Sequence, residues 1–160
     1  MILLVADAGP LHYLVQIGAV EVLPVLAGRV LLPDAVWREL REPAAAAMVR
    51  EWTASLPPWV EVRQSPTPSG LPPQLSAADQ ACIGLALKTQ AMLLMDDRRG
   101  RRVAEQLGVH TIGTLGILEA ASAKGLLPLP DAIRQLRQTN IYLTEDLYAA
   151  ALERDARPLG

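Results

Sequence analysis

Two adjacent carboxylates, Asp96 and Asp97, end the apolar run Ala91-Met92-Leu93-Leu94-Met95 and lead into Arg98-Arg99-Gly100-Arg101-Arg102. Like charges side by side repel, so a fold that keeps both there needs a counter-ion. A divalent cation held by carboxylate oxygens meets that need. The arginines can pair with carboxylates or meet a phosphate backbone. Three further acids could join the pair: Asp7 directly after Ile2-Leu3-Leu4-Val5-Ala6, Glu39 beside the apolar residues Val36 and Leu40, and Asp79 three residues after Ser76. Hard oxygen ligands gathered at one place select Mg²⁺ or Mn²⁺. A carboxylate-bound pair of such ions suits in-line hydrolysis of a phosphodiester. Each residue also has an ordinary role. Asp7 can cap a helix, Glu39 can be solvated, and Asp79 can complete the capping box Ser76-Ala77-Ala78-Asp79. The arginines can form a solvated helix face, with Arg98 or Arg99 bridged to Asp96 and at least one of the four structural. Their joint placement carries the chemical reading.

That placement depends on the elements. Short apolar runs bounded by charge or turn residues predict strands near 2–6, 30–32, 59–62, 92–95 and 109–112. Helical patterns lie between them: one from Pro10, one over 19–27 closed by Gly28, one from Pro33-Asp34, one over 44–56 and one from Ser76. Others run from Arg98 to Leu107 and from the Gly113-Thr114-Leu115-Gly116 turn to Lys124. Alternating strand and helix argues for a parallel α/β sheet of four or five strands. Right-handed crossovers bring the strand C-termini to one edge, where Asp7 and the Asp96–Asp97 pair would meet. Residues 63–75, rich in Pro, Ser and Gly, predict a surface loop within one domain spanning 1–155. Two amphipathic helices fill 131–138 and 144–154. Tyr142, Leu143, Leu147, Tyr148 and Leu152 make an apolar face for the domain or for a second copy.

Composition narrows the alternatives. The chain has 160 residues, 51% hydrophobic and 20% charged, enough for a sizeable core and too apolar for disorder. A net charge of −2 does not announce a nucleic-acid binder, although a local patch can bind on an acidic protein. No apolar run reaches the roughly 18–20 residues of a membrane helix, and the N-terminus lacks the basic region of a signal peptide. A single cysteine, Cys82 in an Ala-rich helix, suits a reducing cytosol and an inert core thiol. His12, His110 and Cys82 offer no zinc-ligand spacing, and neither a dinucleotide nor a P-loop glycine motif is present.

Val5-Ala6-Asp7-Ala8-Gly9-Pro10-Leu11, Leu32-Pro33-Asp34-Ala35-Val36-Trp37-Arg38-Glu39-Leu40, and Leu94-Met95-Asp96-Asp97-Arg98-Arg99-Gly100-Arg101 followed by Gly113-Thr114-Leu115-Gly116-Ile117-Leu118 together resemble PIN domains. They are most similar to the prokaryotic PIN-like group known as domain of unknown function 3368, related to VapC toxins. The resemblance spans nearly the whole chain. It implies a three-layer α/β/α sandwich and a Mg²⁺- or Mn²⁺-dependent cytoplasmic ribonuclease. It places the catalytic acids at Asp7, Glu39, Asp79 and Asp97, the metal ligands among Asp7, Asp79, Asp96 and Asp97, and RNA contacts at Arg98, Arg99, Arg101 and Arg102. It further implies a homodimer, no membrane association and an antitoxin protein as partner if the chain is a toxin. Two positions depart from the family pattern. Ala8 replaces the usual Ser or Thr after the first acid, and Asp79 stands where close relatives often carry Glu. The competing reading is a non-catalytic PIN-like module that binds protein or RNA. A phosphatase or receiver-type acidic pocket fits less well, since no DxD motif stands at Asp7.

Overall fold

The computed structural model describes residues 2–65 and 70–157. Five parallel strands form one sheet in the order β3-β2-β1-β4-β5: β1 (Leu3–Ala6), β2 (Arg29–Pro33), β3 (Val60–Arg63), β4 (Met92–Leu94) and β5 (Thr111–Ile112). Leu4, Val5, Ala6, Val30, Leu31, Leu32, Leu93 and Leu94 are buried, as strands covered on both faces must be. The chain moves one way from β1 to β2 to β3, then returns past β1 to β4 and β5. The topological switch point therefore lies between β1 and β4, and open α/β sheets bind ligands in the crevice beyond the strand C-termini at such a point.

Among the described residues, nine α-helices surround the sheet: α1 (Ala8–Gln16), α2 (Leu23–Leu26), α3 (Asp34–Leu40), α4 (Ala47–Ala54), α5 (Ala77–Thr89), α6 (Arg98–Gln106), α7 (Thr114–Ala123), α8 (Leu129–Leu136) and α9 (Glu145–Ala156). The helix α5, apolar nearly all round, packs on β1, β2 and β4 and touches α3 and α6. On the other side α7 meets α1 and α2, with α8 and α9 packed outside it. The result is the three-layer α/β/α arrangement that the family resemblance implies. No single helix among the described residues is long and apolar enough to cross a membrane.

Several boundaries differ from the pattern-based expectation. The first helix begins at Ala8 rather than at Pro10, because the Asp7 side chain caps it two residues earlier. The stretch 19–27 divides into a 3₁₀ turn, Val20–Val22, and α2. The helix expected over 44–56 is confined to α4, since Glu42–Ala46 turns instead. The loop expected over 63–75 loses Arg63 to β3, and its residues 66–69 lie outside the described part. The apolar face around α9 divides as well. Tyr148 and Ala151 are buried, while Tyr142 is 88% and Leu147 44% exposed.

Candidate functional site

Asp7 follows the central strand β1, and its own N–H donates to the Leu94 carbonyl at 2.9 Å. That bond ties the tops of β1 and β4 together and sets Asp7 at the switch point. Its Oδ1 accepts the Ala8 N–H at 2.9 Å, so it starts α1 as a cap. Capping does not exhaust it. Asp7 is only 9% exposed, and the neighbouring Asp79 carboxyl acts on it. Burial, then the charge of Asp79, then that of Glu39 push the Asp7 carboxyl up to about 7, despite the opposing Ala8 N–H bond.

Asp79 reaches this point from the first turn of α5. Ser76 caps that helix, its Oγ accepting the Asp79 N–H at 3.0 Å. The Asp79 carboxyl is also raised, first by burial and then by the charge of Asp97. Asp97 caps α6, its Oδ2 accepting the Gly100 N–H at 2.8 Å. Glycine at 100 permits this close first turn, since a Cβ there would stand 3.2 Å from Asp97 Oδ2 and would strike the buried Met95 Sδ. Glu39 comes from the last turn of α3. It lines a cleft of about 320 Å³ with Ala8, His12, Tyr13, Glu42 and Asn140. Partial loss of water in that cleft, then Glu42, then Asp79 raise its carboxyl. Asp7, Asp79, Asp97 and Glu39 thus act electrostatically on one another. Among the described residues no Arg or Lys forms an ion pair with any of them. Cys82 is fully buried beneath the group, its Sγ 3.9 Å from Asp7 Oδ1, and burial pushes its thiol well up. It is a packing residue.

Asp96 and Asp97 are neighbours in sequence with different surroundings. Asp96 Oδ1 accepts the Thr114 N–H at 2.7 Å and Oδ2 accepts the Thr114 hydroxyl at 2.6 Å. Both oxygens are therefore spent on fastening the start of α7 to the end of β4. A Cβ at Gly113 would stand 2.9 Å from Asp96 Oδ1 and 3.1 Å from Arg101 Nη1, so this clamp needs glycine before Thr114. Thr114 is fully buried. Its part is not evident from periodicity; the only signal is the Gly113-Thr114 turn itself. Tyr13, whose hydroxyl is raised by burial and then by the Asp96 charge, also escapes a sequence reading.

The four arginines do not act alike. Arg98, Arg101 and Arg102 line a groove of about 850 Å³ together with Asp96, whereas Arg99 does not line it. Arg101 Nε donates to Thr111 Oγ1 at 3.2 Å, which makes it the anchored member. The Asp96 bridge to Arg98 or Arg99 is absent among the described residues, because Thr114 occupies that carboxylate.

Residues 3–156 match the family described as a PIN domain, domain of unknown function 3368. The chain belongs to this PIN-domain family. Its members are generally nucleases. A search of solved structures finds similarity to a PilT N-terminus domain protein from the hyperthermophilic archaeon Sulfolobus solfataricus, at 13% identity and a TM-score of 0.45, covering 89% of this chain and 100% of that one. No curated protein matches the chain.

The donor set was tested against the divalent ion that PIN domains typically use. All four side chains are hard oxygen donors. Asp7 and Asp79 are both pushed toward the protonated form by burial and by neighbouring acids, a shift that a divalent cation would reverse. Among the described residues, no three Asp, Glu, His or Cys side chains stand close enough to enclose an ion by themselves. An ion held here by Asp7 and Asp79 would keep several waters, as Mg²⁺ does.

Proposed function

We propose that this PIN domain is a metal-dependent ribonuclease that hydrolyses RNA phosphodiester bonds at the switch-point crevice. One observation carries the reading: the Asp7 carboxyl is pushed up to about 7 by burial and by the charge of Asp79, while no cationic side chain among the described residues pairs with either. Asp7 and Asp79 would hold Mg²⁺ or Mn²⁺ directly, with Asp97 and Glu39 completing the shell through water. Asp96, bonded twice to Thr114, would act by positioning and not as a ligand. A bound divalent ion supplies charge for the developing phosphorane and a lowered pKa for the attacking water. The chain's own groups do the rest. Asp7, its carboxyl raised to about 7, would give up its proton where an ion is held. The Thr114 clamp fixes the turn from β4 into α6. Glu39 stands in the adjoining cleft within range to orient water. Arg98 and Arg102 hold the phosphate backbone on the far side.

The test is cleavage of a mixed panel of single-stranded RNAs by purified protein in Mn²⁺, in Mg²⁺ and in EDTA, beside Asp7→Asn. Cleavage in either metal, lost in EDTA and in the variant, is expected. An Asp7→Asn protein that folds and cuts as fast as the parent would end the proposal. A toxin role has its own measure: expression of the chain arrests growth, and Asp7→Asn relieves the arrest.

A second reading, a non-catalytic binding module, is favoured by Ala8, which lacks the hydroxyl common after the first acid, and by the spread of the four acids. Calorimetric titration with Mn²⁺ separates the two, since a module with purely structural acids binds none.

A further inference from the structure

We infer that the groove lined by Asp96, Arg98, Arg101, Arg102 and Tyr142 is a binding track for single-stranded RNA, with one base stacked on the Tyr142 ring. This rests on the ribonuclease reading for the kind of ligand, but its test does not need cleavage. The groove lies between the free edge of β5, the first turns of α6 and the segment joining α8 to α9. Acids line it as well. Glu119 accepts from Arg154 at 2.7 and 3.0 Å, Asp96 is held by Thr114, and Glu105 accepts the Thr111 hydroxyl. Arg98, Arg101 and Arg102 enter no ion pair among the described residues, and with Arg154 they leave the lining slightly cationic against Asp96, Glu105 and Glu119.

Tyr142, 88% exposed, and Leu147, 44% exposed, line the same groove. The ring is presented on a short segment whose flanks are fastened, since Arg137 pairs with Glu145 and stacks over Tyr148 at 4.1 Å. Unpaired arginines leading to an open aromatic face match the needs of a single strand: phosphates take the charge and an unstacked base takes the ring. A duplex keeps its bases stacked inside and offers the ring nothing. Asp96 on this lining directly precedes Asp97 in the chain.

The experiment is fluorescence anisotropy in EDTA with a fluorescein-labelled single-stranded RNA and with the same sequence as a duplex. The single strand is expected to bind more tightly. Tyr142→Ala weakens it by roughly 5- to 150-fold, the range for loss of one stacked base, and Tyr142→Phe keeps it. Arg102→Ala lowers the slope of log K against log salt by about 0.7, one phosphate contact on a single strand. The inference is overturned by no binding of the strand, by equal binding of the duplex, or by Tyr142→Ala binding like the parent. It is also overturned if Tyr142→Ala turns a dimer into a monomer in sedimentation, which marks the face as a contact between copies. Binding through Tyr142 without cleavage in any metal keeps the track and ends the nuclease reading. Cleavage with binding indifferent to Tyr142 does the reverse.

Discussion

Glu119 and Glu145, on the outer helices, each face one arginine squarely, whereas Asp7 and Asp79, at the top of the sheet, have only each other. Arg154 gives Glu119 two N–H bonds. Arg137 gives Glu145 two, and its charge holds that carboxyl below the usual range. At the strand ends the same side-chain chemistry is pushed the other way, by burial and by neighbouring acids. Arginine is not scarce there, since four follow Asp97 within five residues. Three of them turn into the neighbouring groove instead. The fold pairs the exposed Glu145 and the half-buried Glu119 with arginine and leaves the half-buried Asp79 and the buried Asp7 without a cationic partner among the described residues. Buried like charges cost stability, and a cation from solution would return it.

The largest break in that comparison is Asp7→Asn. If the cluster is a metal site, cleavage falls by more than the ~10–100-fold that loss of an outer-sphere partner costs. The fold meanwhile holds, because Asn caps a helix about as well as Asp and carries no charge to bury. Melting in EDTA at pH 8 should therefore leave Tm equal to the parent's or higher. A lower Tm with cleavage intact would turn Asp7 into a structural acid like Glu119.

The adjacent aspartates sharpen the contrast within one turn of chain. Thr114→Val removes the hydroxyl that Asp96 Oδ2 accepts, and a partly buried carboxylate oxygen left without its donor costs about 1–3 kcal/mol in urea unfolding. Asp97→Asn keeps the α6 cap and so costs a few tenths of that, but it lowers cleavage. If the two variants exchanged phenotypes, the assignment of roles along the pair would be reversed.

Sequence was informative where one physical rule acted alone. Strand cores such as Leu3–Ala6 and Met92–Leu94 are short apolar runs followed by acids, and the parallel sheet with its strand C-termini on one edge follows from alternation and handedness. That Asp7, Asp79 and Asp97 come together is likewise a consequence of strand ends sharing an edge. What Asp96 does was not legible, because its partner lies eighteen residues away across β5 and depends on Gly113 having no side chain. The division of the arginines was equally hidden. Charge pattern marks all four as exposed helix residues, and only the position of the 137–144 segment shows which of them border the groove. The apolar face of α9 was one stripe in sequence but two surfaces in space, since Tyr148 turns inward and Tyr142 lies before the helix begins.

A subtler break uses pH. The Asp7 carboxyl ionises near 3.8 when unfolded and at about 7 when folded. Between those values the folded chain holds the extra proton, so stability is greatest at the acid end and falls as pH rises toward 7. Thermal melts in EDTA at pH 5, 6, 7 and 8 should show the parent losing Tm relative to Asp7→Asn across that window. Saturating Mn²⁺ should flatten the difference, because the ion replaces the proton. Its apparent affinity should rise from pH 5 to 7 and then level off. A parent and variant with parallel profiles in EDTA would mean that Asp7 is not burdened by its neighbours.

The smallest effect belongs to the outer helices. Glu145→Gln removes an exposed partner of Arg137, and exposed pairs are screened by water and salt. Tm should move less than in Thr114→Val, and the difference from the parent should vanish in molar salt. Cleavage should not change, since Glu145 lines neither the cleft nor the groove. The informative failure is loss of RNA binding with Tm unchanged. Arg137 and Glu145 flank the segment that carries Tyr142, so that result would mean the pair fixes the ring's position, and that an ordinary surface ion pair has been placed at the end of the groove to hold a stacking platform still.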